Sequence, residues 1–244
     1  MPTPVLLLTA TIDTGSTPRV ARSDPGTRLK DYEQALLRWL RSLSIDKVVF
    51  CENSGYDLST LETAAAQFSD CQVEFLSFNG NAVGALRGKG SAELAIILHA
   101  VSHSRLLSRA QTVIKCTGRL SVRNAPSLIS KIEAEQFDVM CDIGRYLTYA
   151  DSRFFAATPD FIANYLGRER DTVNDFSGIY LEHALACATT RALADRNIWR
   201  PLPANPQIMG ISGTIGSNIT DGPVKREIRR VYSWIRRFVY RHRW

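Results

Sequence analysis

Charged residues sit on short glycine-bearing turns at two places in this 244-residue chain. The first is Thr112-Val113-Ile114-Lys115-Cys116-Thr117-Gly118-Arg119-Leu120, which reads as a short buried strand running into a turn that carries Lys115 and Arg119. In a sheet that binds nucleotides, the ligand sits beyond the end of a central strand, and two fixed cations there suit a diphosphate. The competing account is a lysine that snorkels from the strand end beside a surface arginine, since a buried lysine is costly unless it reaches water or an anion. The second place is Gly88-Lys89-Gly90 at the start of a helix. Free N–H groups and the helix dipole favour a phosphate there, glycines allow close approach, and Lys89 adds charge. The alternative is an ordinary glycine-rich turn with a solvated lysine. Neither a P-loop nor a G-x-G-x-x-G after the first strand is present.

Acidic groups complete the set. Glu182 and His183 lie in the first turns of a helix that follows Asp175-Phe176-Ser177-Gly178. A carboxylate facing a cleft is a candidate general base for a sugar hydroxyl; a helix-start Glu is also favoured by the dipole alone. Asp142, Arg145 and Asp151 cluster at and after a fifth strand, where they could hold ribose or acceptor hydroxyls or form a local salt bridge. His99 and His103 have the spacing of some zinc pairs, but no Glu follows His99 and no third ligand stands out, so they read as structural.

The elements that must position these residues alternate. Pro4 to Thr11 is a continuous apolar run, as for a strand buried on both faces of a parallel sheet. A Gly/Pro/Ser/Thr loop over residues 12–26 precedes a helical stripe at Leu29, Tyr32, Leu36, Leu40 and Leu43. Lys47–Cys51, a helix opened by Ser59-x-x-Glu62, and Val73–Phe78 continue a βαβαβ order. Residues 79–90 are expected to be a loop with four glycines, before a helix from about Ser91. Strands are expected at Val113–Cys116, Phe137–Cys141 and Arg153–Ala157, with Asn124 and Thr158 as helix N-caps. A helix follows over Gly178–Asn197, and residues 200–223, with four prolines and four glycines, are expected to be a loop. The fold class is therefore α/β, a mostly parallel, Rossmann-like sheet with helices on both faces.

The net charge of +6 is unevenly placed. Residues 224–244 hold eight Lys or Arg against one Glu, and the remainder holds 22 basic and 23 acidic residues. A nucleic-acid-binding fold spreads basic residues over a folded face, so no nucleic-acid partner is expected. In the tail, Val224, Ile228, Val231, Ile235 and Phe238 form an apolar stripe opposite the basic residues, with Trp234, Tyr240 and Trp244 nearby. Such a basic, aromatic-bearing amphipathic helix lies in an anionic membrane interface; packing of the stripe on the domain is the competing account. Five scattered cysteines form no C-x-x-C pair, which suggests reduced thiols in a cytosol rather than zinc or disulfides. The expected organisation is a catalytic domain over residues 1–200, a loop over 201–223 and a membrane-surface helix over 224–244.

The order of elements resembles a GT-A-type glycosyltransferase of bacterial capsule or O-antigen synthesis. The resemblance rests on LLLTATIDTG, VVFCENSG, GKGSAE, VIKCTGR, DSRFFAATPDFI and GIYLEHALA, and spans roughly residues 4–200. It implies a nucleotide-sugar donor and no separate cofactor, with Thr11, Asp13 and Glu52 near the nucleobase and ribose, and Glu182 as base. Together with the residues read above, Lys89, Gly90, Asp142, Arg145 and Asp151 are expected as further donor contacts. Such enzymes usually carry Asp-x-Asp, holding a divalent metal, near the end of strand four. Here that position reads Lys115-Cys116-Thr117-Gly118-Arg119. Fixed cations in place of a metal would stabilise the leaving diphosphate, so a metal-independent enzyme is expected. In-line attack assisted by Glu182 would invert the anomeric centre, although a retaining enzyme can use the same fold.

Three functions compete at this point. The first is transfer of a sugar to a lipid-linked glycan at the inner face of a bacterial membrane, with the tail bringing the enzyme to its acceptor. The second is a sugar-nucleotide-forming nucleotidyltransferase, faintly echoed by Thr14-Gly15-Ser16-Thr17-Pro18-Arg19. The third is a membrane-bound scaffold that binds nucleotide without catalysis.

Overall fold

The computed structural model describes residues 3–15, 21–42, 45–211, 218, 219, 231 and 235. The chain runs β1 (Val5–Ala10), α1 (Pro25–Arg41), β2 (Lys47–Glu52), α2 (Ser59–Ala65), β3 (Gln72–Ser77), α3 (Asn81–Arg87) and α4 (Lys89–His103). It continues through β4 (Val113–Thr117), β5 (Leu120–Val122), α5 (Ala125–Glu133), β6 (Val139–Met140), β7 (Ile143–Gly144), β8 (Tyr149–Ala150) and β9 (Phe154–Ala157). It ends with α6 (Pro159–Asn164), α7 (Leu181–Ala194), β10 (Trp199–Arg200), β11 (Ile208–Ile211) and β12 (Asn218–Ile219). Seven strands form the main sheet in the order β10-β6-β9-β4-β1-β2-β3. All pairs are parallel except those of β9, which runs antiparallel to β4 and β6.

The alternation within β1 builds both layers. Leu6, Leu8 and Ala10 face α1, α2 and α5, meeting Tyr32, Leu36, Leu61 and Ile129. Val5 and Leu7 face α4, α6 and α7, meeting Leu94, Ile97, Phe161 and Leu185. Both faces are covered, so the strand is apolar throughout, and each fully buried Leu contributes about 1.5–3 kcal/mol. Register also sets the direction of the neighbouring strand's side chains: Lys115 sits opposite Leu7 and so points into the α4–α7 layer.

Local chemistry sets the helix starts. Asp24 caps α1, its carboxylate accepting from Thr27 N at 2.7 Å, and Thr158 caps α6 through Phe161 N at 3.2 Å. Asn124 stands at the start of α5, but its side chain reaches instead to Asn205 O and Gln207 N. That contact ties down a segment the sequence reads as loop. Residues 208–211 form β11, antiparallel to β5, so part of the 200–223 stretch is a strand of a second, three-stranded sheet. Residues 81–87, expected to be loop because of their glycines, form α3. Most of the basic tail lies outside the described residues; Val231 and Ile235 are helical, and exposed. No described helix is long and apolar enough to cross a membrane.

Candidate functional site

A cleft of about 510 Å³ opens at the C-terminal ends of β1 and β4, between the α1 layer and the α4–α7 layer. Thr11, Lys89, Gly90, Arg119 and Glu182 line it, together with Thr9, Tyr32, Glu93, Thr117 and Ser152. A larger groove of about 1220 Å³ lies at the opposite ends of the strands, beside Thr3, Lys47, Gln72 and Arg105. Of its carboxylates, Glu74 is occupied by Ser104 Oγ, Arg105 N and Leu106 N, and among the described residues no buried side-chain donor there lacks a partner. Size therefore does not select the site; converging polar groups do.

The floor of the cleft is a closed polar network. Thr9, Lys115 and Thr117 alternate onto one face of the sheet and meet Glu93 from the first turns of α4. Glu93 Oε1 accepts from Lys115 Nζ at 2.6 Å, Thr9 Oγ1 at 2.8 Å and Thr117 Oγ1 at 2.9 Å. Lys115 Nζ donates also to Ser152 O at 2.6 Å and is fully buried. Burial alone would raise the Glu93 carboxyl, but the Lys115 ammonium and the three hydrogen bonds together hold it below its ordinary value. Ser152 Oγ then donates to Glu182 Oε1 at 2.8 Å. Here burial dominates, and Glu93 adds repulsion, so the Glu182 carboxyl is held above its ordinary value. Two carboxylates joined through Lys115 and Ser152 are thus driven in opposite directions, Glu93 by its partner cation and Glu182 by burial.

The α1 wall is positive. Gly118 N donates to Thr9 O at 2.9 Å, and a Cβ on Gly118 would lie 2.6 Å from that oxygen, so only glycine lets the turn hug β1 and lift Arg119 into the cleft. Arg119 packs over the Tyr32 ring at 5.9 Å, and Arg28 lies 5.7 Å from the same ring's centre. Arg28 spends its donors on the loop after β1, bonding Thr11 O, Ile12 O and Arg22 O. Arg119 Nε and Nη1 are buried without a hydrogen-bond partner. Among the described residues neither guanidinium forms an ion pair with a carboxylate. Buried donors left open in a cleft, beside a second fixed cation, suit a bidentate anion.

Several sequence-based assignments need correction. Lys115 was expected to grip a diphosphate, but its strand parity sends it into the core, where Glu93 and Ser152 O accept its hydrogen bonds. Glu52, expected near ribose, is fully buried and accepts from Ile12 N, Ser54 N and Tyr56 N; it pins the loops after β1 and β2 together. Asp13 faces outward and caps its own turn at Gly15 N. Asp142 accepts from Leu202 N, Asp151 is held by Arg153 at 2.5 and 2.9 Å, and Arg145 lies over the Tyr149 ring at 4.1 Å. None of these six lines the cleft. The Gly88–Gly90 turn does line it, but Gly90 N already donates to Asp175 Oδ2 at 3.0 Å, and Cβ atoms on Gly88 or Gly90 would collide with Asp175. An internal carboxylate therefore occupies the position read as a phosphate site. Sequence reasoning missed Glu93, although a lysine inside an apolar strand calls for a buried carboxylate partner. His99 stacks between Phe78 and His103. Among the described residues no group of three His, Cys, Asp or Glu side chains could hold a metal ion.

No protein-family model and no curated protein sequence matches the chain. Solved structures do. HddC from Yersinia pseudotuberculosis is similar over 94% of this chain and 99% of its own, at 12% identity and a TM-score of 0.44. The inositol-1-phosphate CTP transferase from T. maritima covers 82% of this chain and 85% of its own, at 12% identity and a TM-score of 0.49. The galactosyltransferase LgtC, in complex with donor and acceptor sugar analogues, covers 74% and 69%, at 8% identity and a TM-score of 0.47. At these identities and TM-scores, substrate and residue roles have to be argued from the cleft itself.

Proposed function

We propose that this protein is a glycosyltransferase that moves a sugar from a nucleotide-sugar donor to a lipid-linked glycan acceptor in bacterial surface polysaccharide synthesis. The observation that carries the reading is the opposition within one cleft of Arg119, with two open buried donors, and Glu182, a carboxyl held above its ordinary value. Glu182 takes the proton of the acceptor hydroxyl. The acceptor oxygen bonds to the anomeric carbon as the bond from that carbon to the diphosphate oxygen breaks. The electron pair leaves with the nucleoside diphosphate, whose charge Arg119 meets directly and Arg28 supports from the loop behind. The Glu93–Lys115–Ser152 chain fixes Glu182 in place. Metal-independence is part of the proposal. It is supported by the commitment of Glu93 to Lys115 and of Asp151 to Arg153, which leaves those carboxylates poorly suited to a divalent cation.

Thr14, which reaches the cleft from the loop after β1, favours the second reading, a nucleotidyltransferase that would hold a triphosphate along that loop. Thermal-shift titration with UDP-, GDP- and CDP-sugars, and with the corresponding triphosphates, separates the two. A ligand at a hundred times its Kd adds about 2.7 kcal/mol to stability. Stabilisation by diphosphate-sugars supports transfer, and stabilisation by triphosphates alone sinks it. Activity abolished by EDTA and restored by manganese would remove metal-independence. Residues 224–244 are proposed to dock on the anionic inner face of the cell membrane, each basic residue near the surface contributing about 1 kcal/mol. A chain ending at residue 223 that still sediments with anionic vesicles would end that claim.

A further inference from the structure

The wall of the cleft opposite Arg119 carries exposed rings beside Glu182. Phe176 and Tyr180 line it while remaining 49% and 40% exposed. Both precede Glu182 in the chain, on the segment that leads into α7. This segment is held in shape before any ligand arrives. Asn174 and Ile179 exchange two backbone hydrogen bonds, at 2.8 and 3.0 Å, and Asn174 Oδ1 accepts from Phe176 N at 3.0 Å. The loop is tied to α4 by Ser91 Oγ on Val173 O at 2.5 Å and by Asp175 on Gly90 N. Behind Tyr180 the His183 ring is stacked at 5.5 Å, and Tyr149 meets His183 edge-on at 5.4 Å. Tyr149 also lines the cleft, with Arg145 lying 4.1 Å over its ring. One face of the Tyr180 ring is thus buttressed, and Phe176 is presented on an anchored tip.

We infer that Phe176 and Tyr180 form the acceptor subsite, stacking on the apolar face of a neutral pyranose ring so that one of its hydroxyls meets Glu182. The inference rests on the transfer reaction proposed above and names where its acceptor binds. A base must lie within hydrogen-bond reach of the hydroxyl it deprotonates, so the acceptor ring sits beside Glu182, and Phe176 and Tyr180 are the most exposed rings among the described residues that line the cleft. A sugar presents a face of C–H groups and a rim of hydroxyls, which suits aromatic rings with a carboxylate at their edge. Rigid rings on a pre-formed loop hold it with little loss of side-chain freedom. The opposite wall, with Arg119 and Arg28, suits the charged donor.

The test is saturation-transfer NMR on the full chain with methyl glycosides of glucose, galactose, mannose and N-acetylglucosamine, alongside titration with UDP, GDP and CDP. At least one glycoside should show transfer to its ring C–H protons. Phe176→Ala and Tyr180→Ala should weaken that binding about tenfold each and leave nucleotide affinity unchanged. Phe176→Trp should retain it, and Arg119→Ala should give the reverse pattern. Glycoside binding that ignores Phe176 and Tyr180, or no glycoside binding at all, overturns the subsite even where nucleotides bind. Loss of nucleotide binding as well sinks the transferase reading itself. If the two alanine variants instead lose sedimentation with phosphatidylglycerol vesicles while glycoside binding is unchanged, the rings are a membrane contact and the inference is wrong.

Discussion

Lys115 and Arg119 stand four residues apart on one strand and its turn, and by residue type they are equally suited to a phosphate. The fold treats them oppositely. Lys115 is fully buried and shared between Glu93, Thr117 and Ser152 O. Arg119 reaches the cleft with two donors unused. Glu93 and Glu182 repeat the contrast: one carboxyl is held below its ordinary value by a partner cation, the other above it by burial. A satisfied pair stabilises the molecule, whereas unsatisfied groups are a cost that a ligand can relieve.

The contrast can be broken from either side. The largest effect is expected for Glu182→Gln, which should lower kcat roughly 10²- to 10⁴-fold with little change in donor KM, as for loss of a general base; a donor-to-acceptor transfer assay reads it. Lys115→Ala comes next. It strands Glu93 against the sheet and should cost about 3–5 kcal/mol of stability, measured by urea unfolding. Restoring most of that loss with the double change Lys115→Met and Glu93→Leu would identify the pair as structural. Arg119→Ala should weaken nucleoside-diphosphate binding or turnover by roughly 10²- to 10³-fold with no fall in Tm. A drop in Tm comparable to that of Lys115→Ala would erase the distinction between the two cations.

The smallest effect sharpens the comparison through pH. A carboxyl raised in the folded state binds more protons folded than unfolded, so its cost is absent at low pH and grows as pH rises through the ordinary carboxylate range to the folded value. Glu182→Gln should therefore be slightly more stable than the parent near neutral pH, with the difference vanishing in acid. Glu93 has the opposite sign: its stabilisation is present above its unfolded pKa and is lost as pH falls through the lowered folded one. Melting curves across a range of about pH 3–8 for the parent and Glu182→Gln decide the sign. A variant less stable at neutral pH would contradict the assignment of burial as the cause of the Glu182 shift.

Local patterns made much of the architecture readable. The continuous apolar run of β1, the 3.6-residue stripe of α1, and Thr158 before Pro159 each act within a few residues, so each was legible from sequence. β11 was not, because a strand of four residues among prolines and glycines is decided by its partner β5 and by Asn124 reaching across to residues 205 and 207. The same holds in the cleft. Arg119 and Glu182, which both line the cleft, were legible as candidates because a strand-end turn and a helix start announce themselves. Glu93 was missed because it is one carboxylate on a largely apolar helix, and its meaning lies in the groups it meets.

The sequence alone determined the alternation of strands and helices, and with it the end of the sheet where charged side chains collect, because hydrophobic periodicity and turn chemistry are local. Only tertiary structure decided which charges neutralise one another and which stay open. That choice depends on side-chain direction across register: Lys115, opposite Leu7, is turned towards Glu93, while Gly118 lets Arg119 rise past β1 into the cleft.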